Sequence, residues 1–329
     1  MRAVICPQFG PPEVLRVADV PRPEIAPGMA RVRIAYAAIN FADIVMIEGA
    51  YQKKRPLPFV AGMEYSGVVT ECGPGVAGVA PGDRVMSFEF FDCFADEIVA
   101  PAAHLYPVPD GKPLTEAAAL PVGYGTGHGA LEWRARMRPG EWVLVHGAAG
   151  GVGLGTVEVA KAMGGTVIAC AGGAGKVTRA LDHGADYGID YTAEDIRARV
   201  LEITDGRGVD VVVDPVGGDA WEASLRCVNW RARMVIVGFA GGRVPQIPAN
   251  ILLVKNVAAV GYWWGDYREK RPAMMRDSVA KLTDWWREGK LRPHVSHILP
   301  MEEVTEAMNL LVRREATGRV LLDIGGEEA

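Results

Sequence analysis

Residues 141–163 carry the strongest chemical signal in the chain. Glu141-Trp-Val-Leu-Val-His146 is a short apolar run that suits a buried parallel strand. Gly147-Ala-Ala-Gly150-Gly151-Val152-Gly153 is a glycine-rich turn, and Leu154 to Met163 has the small and apolar residues of a helix packed on a sheet. Strand, glycine turn and helix, in that order, make the opening unit of a dinucleotide-binding fold. The physical requirement is close approach, because a pyrophosphate must reach backbone N–H groups at a helix N-terminus. Gly147, Gly150, Gly151, Val152 and Gly153 are therefore candidate cofactor contacts. The spacing is G-x-x-G-x-x-G, not the common G-x-G-x-x-G. An isolated glycine cluster also reads as a turn without a ligand; the flanking strand and helix favour the nucleotide.

Which dinucleotide follows from the end of the second strand. NAD-specific folds place an acid there for the ribose hydroxyls, about 20 residues past the first glycine. Here the stretch reads Cys170-Ala-Gly-Gly-Ala-Gly-Lys176, with no acid between Gly147 and Asp182 except Glu158 on the first helix. Lys176 and Arg179 follow at a helix start and suit a 2′-phosphate. NADPH is the expected cofactor, with a solvated Lys176 as the alternative. No Ser–His or Cys–His motif points to a nucleophile, and hydride transfer needs positioning more than reactive side chains. Asn40, whose amide both donates and accepts, is the candidate for orienting substrate or the nicotinamide ribose. Asp43 either shares that work or holds its own loop. Tyr51 is the candidate phenol, donating to a carbonyl oxygen or lining the pocket. His294 and His297, three apart on an expected strand, face opposite sides and do not make a metal site. His146 closes the first strand and is expected to bond locally.

The whole chain bounds these readings. Its 329 residues exceed one small core, so two domains are expected. A net charge of −5 and a pI of about 5.8 give no nucleic-acid or polybasic membrane surface. No apolar run approaches the roughly 20 residues that span a bilayer, and Met-Arg-Ala-Val-Ile-Cys-Pro is not a signal peptide. A cytoplasmic location is expected. The five cysteines, at 6, 72, 93, 170 and 227, contain no Cys-x-x-Cys and read as free, buried thiols.

Two styles of element must position the candidates. Residues 1–120 are β-rich, with strand-like runs at 1–6, 15–20, 29–39 and 65–72 and another after the 73–85 turn. Residues 101–113 look like a connection, and a helical stretch runs from Leu114 towards Trp133. From 141 strands and helices alternate, with strands at 166–170, 185–188, 209–213, 233–238 and 257–263. Six such strands with right-handed crossovers give a doubly wound parallel sheet. A long helix follows over 272–287. The tail, with strands at 294–299 and 319–324 around a helix at 301–314, is expected to rejoin the first domain.

Read in order, Phe9-Gly-Pro-Pro-Glu-Val-Leu15, Asn40-Phe-Ala-Asp43, Gly62-Met-Glu64, Gly82-Asp-Arg-Val85, His146-Gly-Ala-Ala-Gly-Gly-Val-Gly153, Asp214-Pro-Val-Gly-Gly218 and Ala316-Thr-Gly-Arg-Val320 form a set. The chain resembles the medium-chain dehydrogenase/reductase superfamily, in its zinc-free quinone oxidoreductase (zeta-crystallin-like) branch. The resemblance implies an α/β chain: a GroES-like catalytic domain over 1–121 and 295–329, and a six-stranded Rossmann domain over 122–294. Zinc-containing relatives place a cysteine where Asn40 stands and a histidine where Met63 stands, and add a four-cysteine lobe after Val85. None of these is present, so no metal is expected. The resemblance also implies cofactor contacts at Asn40, Thr126, Lys176, Tyr191, Gly238, Phe239, Ala240, Tyr262, Trp263, Trp264 and Arg319. It supports Tyr51, but a second tyrosine common in the family is Val45 here, which makes the pocket less polar. Trp263 and Trp264 are read either as an aromatic wall or as core packing.

The expected activity is NADPH-dependent reduction of quinones or other α,β-unsaturated carbonyl compounds. One alternative is an enoyl-thioester or 2-haloacrylate-type reductase; Lys53-Lys54-Arg55 is either a basic site for the thioester's tail or, the reading preferred on sequence, a solvated loop. Another is a crystallin-like NADPH-binding protein with little turnover. A homodimer through the edge strand near 256–263 is expected from the resemblance.

Overall fold

The structure is a computed structural model that describes residues 1–326. The expected tail segment 295–329 therefore has three positions, 327–329, outside the described residues. In chain order the first elements are β1 (Arg2–Cys6), β2 (Arg16–Asp19), β3 (Met29–Ile39), α1 (Phe41–Ile47), β4 (Phe59–Val60), β5 (Glu64–Cys72), β6 (Arg84–Phe88), β7 (Glu97–Pro101), β8 (Tyr106–Pro107) and α2 (Leu114–Ala119). Next come α3 (Pro121–Gly129), β9 (Trp142–His146), α4 (Gly151–Ala162), β10 (Thr166–Ala171), α5 (Ala174–Asp182), β11 (Tyr187–Asp190), α6 (Ile196–Ile203), β12 (Val209–Asp214), α7 (Gly218–Leu225), β13 (Val228–Ile236), α8 (Ala249–Lys255), β14 (Ala258–Gly261), α9 (Tyr267–Lys270) and α10 (Pro272–Arg287). The chain closes with β15 (Val295–Pro300), α11 (Val304–Val312) and β16 (Arg319–Asp323).

The chain divides into two compact units, residues 123–292 and the remainder on either side of them. The central unit holds a sheet of order β11-β10-β9-β12-β13-β14, with every pair parallel. Its inner strands bury apolar residues on both faces: Val143, Leu144 and Val145 of β9, and Val209, Val211, Val212 and Val213 of β12. That is the pattern of a parallel sheet covered by helices on both sides. Trp221 on α7 and Trp286 on α10 are completely buried. This is the doubly wound sheet that the strand spacing predicts.

The other unit is built on antiparallel pairing. β16, β3, β5, β6 and β8 follow one another, β7 also pairs with β3, and β15 joins the edge parallel to β16. A second, three-stranded sheet has the order β2-β1-β4. The tail thus inserts directly beside β3, with Val320 opposite Ile39. This places Arg319 next to Asn40 although the two are 279 positions apart in sequence. Among the described residues, no helix is long and apolar enough to cross a membrane.

Several elements depart from the sequence expectation for local reasons. The expected helix from Leu114 towards Trp133 is broken. Pro121 cannot continue the hydrogen-bond ladder, so α2 stops and α3 starts at the proline; a wider π-helical turn over Ala130–Ala135 ends at Arg136, which has φ +49°. The third parallel strand begins at Tyr187 and not at Ala185. Residues before it turn around Asp186, whose carboxylate accepts the Val167 N–H at 2.7 Å and pairs with Lys161. The expected helix at 301–314 opens as a single 3-10 turn before α11. The 73–85 and 101–113 stretches hold as connections around β6, with β8 a two-residue addition. The sequence pattern gives no expectation for α1, β4, β7, α8 or α9.

Candidate functional site

The dinucleotide turn sits at the carboxyl end of β9. Gly147 has φ +58°, in the left-handed region that favours glycine. A Cβ on Gly153 would overlap the Gly147 carbonyl oxygen, so only glycine fits where α4 leaves the turn. The Gly150 N–H bonds to the Gly147 oxygen at 2.9 Å, and Gly150 caps α4. The first N–H groups of α4, on Gly151, Val152 and Gly153, have no intrahelical acceptors. They present donors and the positive end of the helix dipole, which is the arrangement that binds a pyrophosphate. The cradle therefore fits a dinucleotide. His146, just behind it, is buried and bonds to Ser224 Oγ at 2.6 Å; burial pushes its imidazole below the usual range, so it stays neutral.

At the end of β10 the chain turns through Gly172 and Gly173, the latter with φ +95° as the cap of α5. Lys176 and Arg179 both lie on α5 and are half-buried. Tyr191 leans its hydroxyl over Gly172, where a Cβ would meet it at 2.5 Å, and its ring is 43% exposed. An acid does approach this loop, although none lies in its sequence. Asp190, at the end of β11, accepts the Gly173 N–H at 2.8 Å and the Thr192 hydroxyl at 2.6 Å through one oxygen. These bonds hold its carboxyl below the usual range, the Thr192 hydroxyl first. The loop's own donors thus engage Asp190, while Lys176 and Arg179 supply the nearby positive charge.

Further candidates gather at the same edge of this sheet. Gly238, Phe239 and Ala240 follow β13 and lie along Asp214 and Pro215, with the Ala240 N–H on the Pro215 oxygen at 3.0 Å. Phe239 is 39% exposed. Asp214 is buried and accepts the Val216 and Gly217 N–H groups. Tyr262 follows β14; its buried hydroxyl faces Gly129, where a Cβ would overlap it, and burial raises it well above the ordinary phenol range. Trp264 is buried against Gly125, beside the buried Thr126 on α3. Trp264 is therefore a packing residue of this unit, not an open aromatic wall, while Trp263 is half-buried. Ligands of open parallel sheets bind beyond the carboxyl ends of the strands, where these residues lie.

The second group of candidates is in the antiparallel unit. Asn40 follows β3 and caps α1, and its backbone N–H donates to Asp43 Oδ2 at 2.7 Å. Its amide is held by three bonds: Nδ2 donates to Glu64 Oε2 at 3.2 Å and to the Ala38 oxygen at 3.3 Å, and Oδ1 accepts from Arg319 Nη1 at 2.9 Å, which leaves Oδ1 one further acceptor site. Arg319 also forms an ion pair with Glu64, and Glu64 Oε1 accepts the Val122 N–H at 2.6 Å near the start of α3. All four side chains are buried, Asn40 least of them at 5% exposure. Glu64 is the centre that the sequence reading did not single out. Its partners lie 24, 58 and 255 residues away, so nothing in the local sequence reveals it. Asp43 does hold its own turn, as the capping partner of Asn40.

Tyr51 lies apart from that cluster, half-buried in a groove shared with Phe9, Phe59 and Phe91. The neighbouring cations have partners in their own loop and in the segment around Phe90–Asp92. Lys54 Nζ donates to the Gly49 oxygen at 2.8 Å, Arg55 pairs with Asp92 at 2.5 Å, and Lys53 sits 5.1 Å over the Phe90 ring. The basic triplet thus ties its turn to the segment around Phe90–Asp92. His294 bonds to Thr317 and His297 to Ser296, so each histidine has a local partner.

Similarity to known proteins agrees with this geometry. Residues 26–110 match the alcohol dehydrogenase GroES-like domain model, and residues 151–280 match the zinc-binding dehydrogenase model. A quinone oxidoreductase-like protein 2 from Bos taurus is 40% identical over 324 residues, covering 98% of this chain and 92% of that one. The chain belongs to the quinone oxidoreductase-like branch of the medium-chain dehydrogenase/reductase superfamily. Among solved structures, Escherichia coli quinone oxidoreductase complexed with NADPH superposes with a TM-score of 0.89 at 30% identity, covering 98% of this chain and all of that one. Quinone oxidoreductase from Thermus thermophilus, solved alone and with NADPH, gives 0.86 at 31% identity, with 98% and 100% coverage. The family accounts for both sheets and for the return of the tail to β3.

The zinc in the matched model's description finds no fit here. Asn40 and Met63 offer an amide and a thioether, Glu64 is taken by Arg319, and the described residues contain no cluster of three or more His, Cys, Asp or Glu able to hold a metal ion.

Proposed function

We propose that this oxidoreductase is an NADPH-dependent, zinc-independent reductase of quinones or other α,β-unsaturated carbonyl compounds. The observation that carries the reading is the turn at Gly147–Gly153, open to a pyrophosphate, with Lys176 and Arg179 at the end of the neighbouring strand. The family relatives complexed with NADPH support the same cofactor. When bound, the nicotinamide supplies the hydride. The chain's own contribution is placement. The α4 N-terminus holds the pyrophosphate, Lys176 and Arg179 select the 2′-phosphate, and Tyr191 covers the adenosine side. Gly238–Ala240 and Thr126 line the nicotinamide side. Asn40, locked by Glu64 and Arg319, orients the ribose or the acceptor, and the Tyr51 hydroxyl donates to the acceptor carbonyl.

The reading extends to assembly and location. β14 is the edge strand of the parallel sheet, and α8 beside it exposes Leu253 and Val254 at 77% and 74%. An open strand edge flanked by apolar side chains is a surface that a second copy covers by β-pairing. A homodimer in the cytoplasm is the proposed form. Oxidation of NADPH by a panel of quinones and enones tests the activity. Turnover of at least one acceptor class supports it, and none with any of them overturns it.

A further inference from the structure

Asp43, Glu64 and Arg319 bring two carboxylates and one guanidinium into a single buried cluster. None of the three is more than 4% exposed. With both acids ionised the cluster would hold a net negative charge out of contact with water, which costs several kcal/mol per uncompensated ion. The two acids are not equally served. Glu64 receives Arg319, the Val122 N–H and the Asn40 amide. Asp43 receives the Asn40 backbone N–H on Oδ2 but no bond from Arg319, and its Oδ1 is buried without a partner among the described residues. The other titratable group facing Asp43 is the Cys93 thiol, buried and pushed far above its usual range, so it brings no charge.

We propose that Asp43 is a positioning residue that carries a proton in the native protein, completing a neutral cluster with Glu64 and Arg319 and so fixing Asn40 at the cap of α1. Ionisation of Asp43 adds a second negative charge beside Arg319. That charge competes for the guanidinium that holds Asn40 Oδ1. Burial, the largest influence, raises the Asp43 carboxyl from 3.8 to about 7, against the pull of Asn40 and Arg319. The Asp43 carboxyl is thus held well above the ordinary carboxylate range.

Carboxyl-carbon NMR of protein labelled at aspartate tests this without any assay of the reaction. One aspartate signal is expected to titrate near neutrality and to vanish in Asp43→Asn. The Asn40 side-chain amide signal is expected to shift with the same midpoint in the wild type and to stay flat in that variant. A purely structural Asp43 would not couple the two titrations. In Glu64→Gln, which leaves Arg319 to Asp43 alone, the Asp43 midpoint is expected to fall by more than one pH unit; this arm stands even if Asp43→Asn fails to fold. The proposal is overturned if every aspartate titrates in the ordinary range near 4, if the shifted signal belongs to a glutamate, or if the Asn40 amide is indifferent to pH. The NMR outcome is independent of the proposed reductase activity, so the two can fail separately.

Discussion

Arg319→Met isolates the ion pair at the base of the candidate site. The wild-type guanidinium meets Glu64 and Asn40, and Glu64 is fully buried. Methionine fills much of the same space but leaves Glu64 with only the Val122 N–H and the Asn40 amide. A buried carboxylate without its cation takes up a proton instead of staying charged. Doing so at pH 7, against an unfolded carboxyl near 4.3, costs up to about 4 kcal/mol. That agrees with the roughly 3–5 kcal/mol that breaking one side of a buried pair usually costs. The sign follows from the raised native value: stability is retained below about pH 4 and is lost as the pH rises towards the shifted value. Calorimetry should show the unit containing Arg319 melting roughly 10 °C lower at pH 7, with a smaller loss at pH 5. Glu64→Gln in the same background removes the orphan charge and keeps an acceptor for Val122, so the double variant should recover most of the loss. A single variant that costs less than about 1 kcal/mol, or a double variant no better than the single, would refute the reasoning.

Three further outcomes follow from the same geometry. Gly153→Ala drives a methyl group into the Gly147 oxygen, so the turn must open; isothermal titration should show NADPH affinity reduced at least 100-fold while the melting temperature of the antiparallel unit is unchanged. Because the native Asp43 carboxyl lies at about 7 and not 3.8, wild-type stability should fall by roughly 4 kcal/mol as pH rises from about 4 to 7. Asp43→Asn should flatten that slope, measured by denaturant midpoints across the pH series. Leu253→Glu with Val254→Lys should convert a dimer to monomers in sedimentation velocity at micromolar concentration; a wild type that is already monomeric removes the assembly proposal.

The parallel sheet is readable because its strands are short and bury apolar residues on both faces, as in β9 and the valines of β12. No competing period obscured them. The dinucleotide turn was readable for the same reason, since glycine at 147 and 153 answers a local steric demand. α1 does not stand out in the sequence because Phe41–Ile47 continues the mostly apolar composition of β3, broken only by Asn40 and Asp43. The Asn40-x-x-Asp43 spacing is a capping signal that could have ended the strand there. β7 was missed although Glu97–Pro101 alternates half-buried and buried residues, a period-2 pattern only five residues long. Trp264 was ambiguous between a wall and the core because its environment depends on Gly125, 139 positions earlier. The candidate site was half legible. Asn40, Asp43, Lys176 and Tyr191 follow from local pattern and resemblance. Glu64 and Asp190 do not, because their roles come from partners brought in by the return of β16 to β3 and by the β10–β11 pairing.

The central claim concerns residues 147–179, and one measurement bears on it most directly: dissociation constants for NADPH and NADH, in the wild type and in Lys176→Ala. Loss of a 2′-phosphate contact to a lysine is worth about 1.5–3 kcal/mol when the bond is charge-assisted, or roughly ten- to a hundredfold in affinity. The account predicts that NADPH binds at least tenfold more tightly than NADH and that the variant loses most of that margin with NADH binding unchanged. Equal binding of the two dinucleotides, or a margin that survives the substitution, would contradict it.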